Sequence, residues 1–233
     1  MSTSTQLKPI KLHGKGGANP PKVAMVLKEL GIPHETIDIP FSDIKGPEFV
    51  AINPNGRLPA IHDPNTDITL WESGAILLYL IDKYDPDHKI SFARETPEWH
   101  HAQQWLFFQA SGQGPYYGQA AWFKKFHHEK LPSAVERYVK EAHRVTAVVE
   151  GHLIKQRETF GEAAIGASGG PWLVGNKYSY VDLAWVPWQL ILPMVLSAED
   201  GLDLDKYPVV ADWLARLNKR KAVKYGMGSS EEL

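Results

Sequence analysis

Apolar and polar residues alternate over short runs up to about Tyr84, but beyond "DPDHK" the short period disappears and long helical periodicities take over. This change of period divides the chain into an α/β part followed by an all-α part. In the first, "PIKLHG" reads as a strand, "PPKVAMVLKELG" as a helix closed by Gly31, and "HETIDIP" as a second strand. A short helical turn around "GPEFVAIN", two brief strands, "RLPAIH" and "DITLW", and a helix from Ser73 to Tyr84 complete the order βαβαββα. In the second part, Val135, Val139, Ala142, Val149 and Leu153 fall on one stripe of a helix starting near Pro132. Ser179 and Asp182 have capping-box spacing at the head of "YSYVDLAWVPW", a helix that Pro187 is expected to kink. The irregular stretch "DPDHKISFARETP" is the natural linker, which gives an α/β domain over 1–86, a linker over 87–94 and a helical domain over 95–233. No internal repeat interrupts this plan.

Composition removes several functions. At 233 residues and 43% hydrophobic the chain can bury a sizeable core. A formal net charge of −2, with only short Lys/Arg clusters, supplies no basic field for a phosphate backbone, so no nucleic-acid partner is expected. There is no cysteine, so any thiol chemistry must use a borrowed thiol. "MSTSTQLKPIK" has no apolar signal core, and no apolar run approaches the roughly 18 residues of a membrane span. The expectation is a soluble cytoplasmic protein.

The stretch "GRLPAIHDPNTDITLWESGAILLYL" carries the chemistry. A proline cannot donate a ladder hydrogen bond, so Pro59 belongs on an edge strand, or at a site where something other than protein completes the ladder. A cis Leu58-Pro59 bond would turn the Leu58 N–H and C=O toward a peptide-like ligand; a trans proline in an edge strand is the alternative. Ser73 sits in the first turn of a helix, where free N–H groups and the dipole favour a carboxylate, and Glu72 adds a negative charge beside it. Such paired subsites suit an α-amino acid end, although the same two residues would serve equally as a helix cap.

Following a βαβ opening, these features resemble the thioredoxin-like domain of cytosolic glutathione transferases, and the second part resembles their helical domain. The resemblance is closest to the fungal subfamily around the yeast nitrogen-catabolite regulator. It rests on "KVAMVLKELG", "PEFVAINPNGRLPAI", "WESGAILLYL", "WLFFQASGQGP", "SAVERYVKEAHRV" and "WLVGNKYSYVDLAWVPW", nearly the whole chain. It implies a glutathione site at Leu58, cis Pro59, Glu72 and Ser73, a homodimer, and conjugation of the glutathione thiolate to small hydrophobic electrophiles. A glutathione-dependent disulfide reductase or peroxidase, or a non-catalytic glutathione-binding regulator, uses the same scaffold.

The family's thiol-activating position falls on Asn19, whose amide can donate to a sulfur anion. Asn19 also reads as a helix N-cap before Pro20-Pro21, its side-chain oxygen receiving the Lys22 N–H. Gly17 and Pro20 depart from the family's common Thr and Gly. Arg57 and Lys45 are candidates for the glycine-end carboxylate. The aromatics after "SGQGP", which reads as a helix break, supply the electrophile-pocket candidates Tyr116, Tyr117, Trp122, Phe123 and Phe126, joined by Trp188. "GKGG" lacks phosphate-loop spacing and reads as a flexible rim. His100-His101 and His127-His128 are adjacent, and neighbours on a helix do not face one another, so no metal is expected.

Overall fold

The computed structural model describes residues 6–229, so the N-terminal stretch read for a signal core lies partly outside the described residues. The chain divides into two compact units, one running to Lys89 and resuming at Lys221, the other spanning Ile90–Arg220.

The first unit is built on a four-stranded sheet of order β2-β1-β3-β4. β1 (Ile10–His13) runs parallel to β2 (His34–Ile37) and antiparallel to β3 (Ala60–Asp63), which pairs antiparallel with β4 (Ile68–Trp71). Alternation decides which face is covered. Ile10 and Leu12 of β1 are buried, with Ile61 opposite Leu12, whereas Lys11 between them is exposed. α1 (Pro20–Leu30) forms because Pro20 and Pro21 fill positions whose N–H groups have no intrahelical partner, and Gly31 closes it at φ 69. α2 (Pro47–Val50) is the expected helical turn, and α3 (Ser73–Tyr84) runs over the residues its pattern indicated.

Two readings are corrected here. Pro59 is not on an edge strand: it stands just before β3, an internal strand of the sheet. The C-terminal helix α9 (Lys221–Gly226) does not belong with the all-helical domain drawn over 95–233; it packs on α1 in the first unit. There Tyr225 and His34 share a 2.8 Å hydrogen bond, and the Lys28 ammonium lies 5.0 Å from the Tyr225 ring centroid. A Cβ on Gly226 would stand 2.5 Å from Met25, so the close seating of α9 depends on glycine.

The second unit is helical: α4 (Pro97–Phe108), α5 (Gly114–Lys125), α6 (Pro132–Ser168, interrupted at Gly161), α7 (Tyr180–Val195) and α8 (Pro208–Asn218). The break expected at "SGQGP" is instead a π-helical turn, Gln109–Gln113, leading straight into α5. The buried Gln109 and Gln113 side chains bond each other at 2.9 Å, and Gln113 donates to the Trp185 carbonyl at 3.0 Å, which offsets the poor intrinsic stability of such a turn. The Ser179–Asp182 capping box is present, and α7 continues through Pro187 and Pro193 as one helix. Val139, Ala142, Val149 and Leu153 of the α6 stripe are buried.

Candidate functional site

In the first unit the end of β1 meets the segment entering β3. Gly14 has φ +107, and a Cβ there would lie 2.9 Å from the Leu58 side chain, so glycine permits this approach. The Leu58–Pro59 bond is cis. Among the described residues, no hydrogen bond to the main chain of Leu58 is found. The preceding turn is organised by buried Asn53, whose side chain donates to the Arg57 carbonyl at 2.6 Å and accepts the Asn55 N–H at 2.9 Å. Lys45 donates to the Asn55 carbonyl at 2.9 Å, so Lys45 and Arg57, both exposed, meet at one turn.

Glu72 has a backbone no sequence pattern announces. Its φ of 70 and ψ of 113 lie in a region costly for a residue with a Cβ, on the order of 1–3 kcal/mol. It makes no side-chain cap to α3, which sets aside the reading of Glu72 as an ordinary cap. Its side chain is exposed, beside the half-buried Ser73 in the first turn of α3, where N–H groups lack intrahelical partners.

Asn19 is half-buried ahead of α1, but its side chain makes no capping hydrogen bond. The Lys22 N–H instead takes the Asn19 main-chain carbonyl at 3.2 Å, because Asn19 has helical φ/ψ rather than the extended backbone that lets an N-cap side chain reach back. Pro20 and Pro21 carry no N–H, so the tip of α1 offers few main-chain donors to a sulfur.

Two buried titratable groups beside these segments escaped sequence reasoning. His13, the last residue of β1, is 8% exposed with no hydrogen-bond partner at Nδ1, and burial, then Lys11 and His62, lower its pKa. Lys22, in the first turn of α1, is 2% exposed; burial lowers its pKa to about 7 against the opposing pull of Glu72. A lysine on an amphipathic helix gives no signal of burial, and the period of β1 places His13 on the same face as the exposed Lys11, so the burial of neither could be read.

Two family descriptions match the chain, "Glutathione S-transferase, N-terminal domain" over residues 19–83 and "Glutathione S-transferase, C-terminal domain" over 115–221. The chain belongs to the glutathione S-transferase family. It is 59% identical to the Glutathione S-transferase-like protein tpcF of Aspergillus fumigatus, covering 95% of this chain and 96% of that one. It is 38% identical to the Transcriptional regulator URE2 of Saccharomyces cerevisiae, covering 87% of this chain and 62% of that one. Among solved structures it is similar to Ure2p5 of Phanerochaete chrysosporium, cocrystallized with 1-(S-glutathionyl)-2,4-dinitrobenzene, with a TM-score of 0.81 and 37% identity over 97% of this chain and 96% of that one.

The aromatic candidates of this glutathione S-transferase family member differ in their surroundings. Tyr117 is a correction: its ring is fully buried, its hydroxyl lies 2.7 Å from Thr146, and burial pushes its pKa up to about 12, so it is core of the helical unit. Tyr116 lies beside Tyr138, with Arg144 over its ring. Phe123 stacks on Tyr138. Trp122 and Phe126 are an exposed pair with centroids 6.0 Å apart. Trp188 rests against Gly114 and Gly118 of α5. A cavity of about 700 Å³ in this unit is lined by Phe123 among others but by none of the remaining five.

His127 and His128 lie past the end of α5, so the helical argument against them does not apply; with Glu129 their donor atoms come within 4.8 Å of one another at the surface. Among the described residues no helix is long and apolar enough to cross a membrane.

Proposed function

We propose that the first unit binds glutathione and that the protein conjugates its thiolate to small hydrophobic electrophiles. The observation that carries this reading is the left-handed Glu72 directly before Ser73. Strain of this kind persists where function needs a side chain aimed in one direction. Glu72 receives the α-ammonium of the γ-glutamyl end, and Ser73 with the free N–H groups of α3 receives the α-carboxylate. The Leu58 main chain, just before Pro59, pairs with the peptide part. Arg57 and Lys45 meet the glycine-end carboxylate. Asn19 donates its amide N–H to the sulfur and favours the thiolate, the form that attacks an electrophilic carbon. Held beside the sulfur, the electrophile reacts chiefly through proximity.

A relative 37% identical that cocrystallized with a glutathione thioether supports this chemistry. The 38% identity to a transcriptional regulator favours a second reading, a glutathione-binding protein without turnover. Pure protein assayed with glutathione and an aryl halide, a hydroperoxide and a mixed disulfide separates the readings. Aryl-halide conjugation well above the uncatalysed rate is expected. Turnover of only the peroxide or disulfide would replace conjugation with reductase chemistry, and binding without any turnover would leave the regulatory reading.

A further inference from the structure

α5 ends at Lys125 and α6 begins at Pro132, so His127, His128 and Glu129 stand in a turn between two helices. Successive residues of a helix point about 100° apart, but this turn brings one ring nitrogen of each histidine and one Glu129 oxygen within 4.8 Å of one another. His128 Nε2 lies 3.7 Å from Glu129 Oε1. Ligands on a tetrahedral Zn²⁺ stand roughly 3.3–3.5 Å apart, so that pair is already near coordinating distance. His128 and Glu129 are exposed, and small rotations of their side chains close the remainder.

The third ligand is held from inside the fold. The Phe126 and His127 N–H groups both donate to the Trp122 carbonyl at 2.9 Å, which fixes the backbone where α5 ends. The half-buried His127 ring meets Phe123 with centroids 5.1 Å apart, and Phe123 in turn stacks on Tyr138 of α6 at 5.6 Å and 12°. Orientation of a ligating imidazole by its surroundings is what strengthens a metal site. The neighbouring cations oppose it weakly: Lys124 is paired with Asp200 at 2.6 Å, and Lys125 and Lys130 are exposed, where water and salt screen them.

The donor set selects the ion. Two imidazoles and one carboxylate suit a borderline divalent transition ion, whereas Mg²⁺ and Ca²⁺ require a shell of oxygens. We propose that His127, His128 and Glu129 form a surface site for such an ion, holding Zn²⁺ with water in the remaining position. All three residues lie in the helical unit, and the bound ion pins the turn that joins α5 to α6. The site does not depend on glutathione binding.

Calorimetry of the untagged natural chain with Zn²⁺ alone tests it. One Zn²⁺ per chain is expected at this site, undisturbed by an excess of Mg²⁺. His128→Ala and Glu129→Ala should each weaken it at least about tenfold, since losing a ligand costs no less than losing a ligand's support. His127→Ala combined with His128→Ala should abolish it. Should His127→Ala not fold, His128→Ala combined with Glu129→Ala, both at exposed positions, is read in the same way. Zn²⁺ binding that survives these pairs would place the ion on other residues and overturn the site, as would no binding at about 1 mM Zn²⁺.

Discussion

Residues Asn19 and Lys22 show how far single side chains can be understood from sequence and where that stops. An Asn before two prolines has the sequence of an N-cap, yet its helical backbone denies its side chain that role. In the proposed site the Asn19 amide donates to the bound sulfur, Pro20 and Pro21 lack N–H groups, and the α1 dipole still favours the anion. Asn19→Ala is therefore expected to raise the pKa of bound glutathione by about one unit and slow conjugation at neutral pH, with little change in affinity. Stopped-flow rates across pH, with calorimetry, check this. For Lys22, the folded pKa of about 7 lies below the ordinary lysine value of 10.5. The unfolded chain then binds more protons over that interval, so the burial cost is full below about 7 and is relieved as pH rises toward 10.5. Urea unfolding should show this group's contribution rising with pH between neutrality and 10, and a flatter curve for Lys22→Met. The burial of Lys22 and the positive φ of Glu72 were illegible in sequence because both arise from tertiary packing, not from local preference.

The elements were legible wherever local chemistry and periodicity agree. Gly31 ends α1, the Ser179–Asp182 box starts α7, and period-2 runs give the strands. Reading failed where side chains far apart in sequence overrule local propensity. Gln113 reaching the Trp185 carbonyl carries helical structure through a glycine-rich stretch that reads as a break, and Tyr117 turns inward to Thr146. Asp182 does more than cap. Its carboxylate accepts from the Ser179 N–H at 3.0 Å, the Leu173 N–H at 3.0 Å and the Trp213 indole at 2.9 Å, joining α7 to α8 and to the preceding loop. Asp182→Ala would strand these buried donors and should cost about 3 kcal/mol or more in urea unfolding. Glutathione affinity of the folded fraction should not change, because all three contacts lie in the helical unit.

For the whole molecule, the split into an α/β and a helical part was visible in the change of period, but the return of α9 to the first unit was not. A six-residue helix carries too little pattern to say which surface it covers, and only Gly226, Tyr225 and their neighbours on α1 and β2 decide it. The family resemblance leads to a further prediction, a homodimer. Light scattering at micromolar concentration should give twice the 26.1 kDa chain mass, and a monomer mass would count against it. The central claim is that this protein binds glutathione and ionises its thiol. Titrating the ultraviolet thiolate absorbance of the natural protein's glutathione complex tests it most directly. The account predicts an inflection at least about one pH unit below that of free glutathione; an inflection coincident with the free thiol would contradict it.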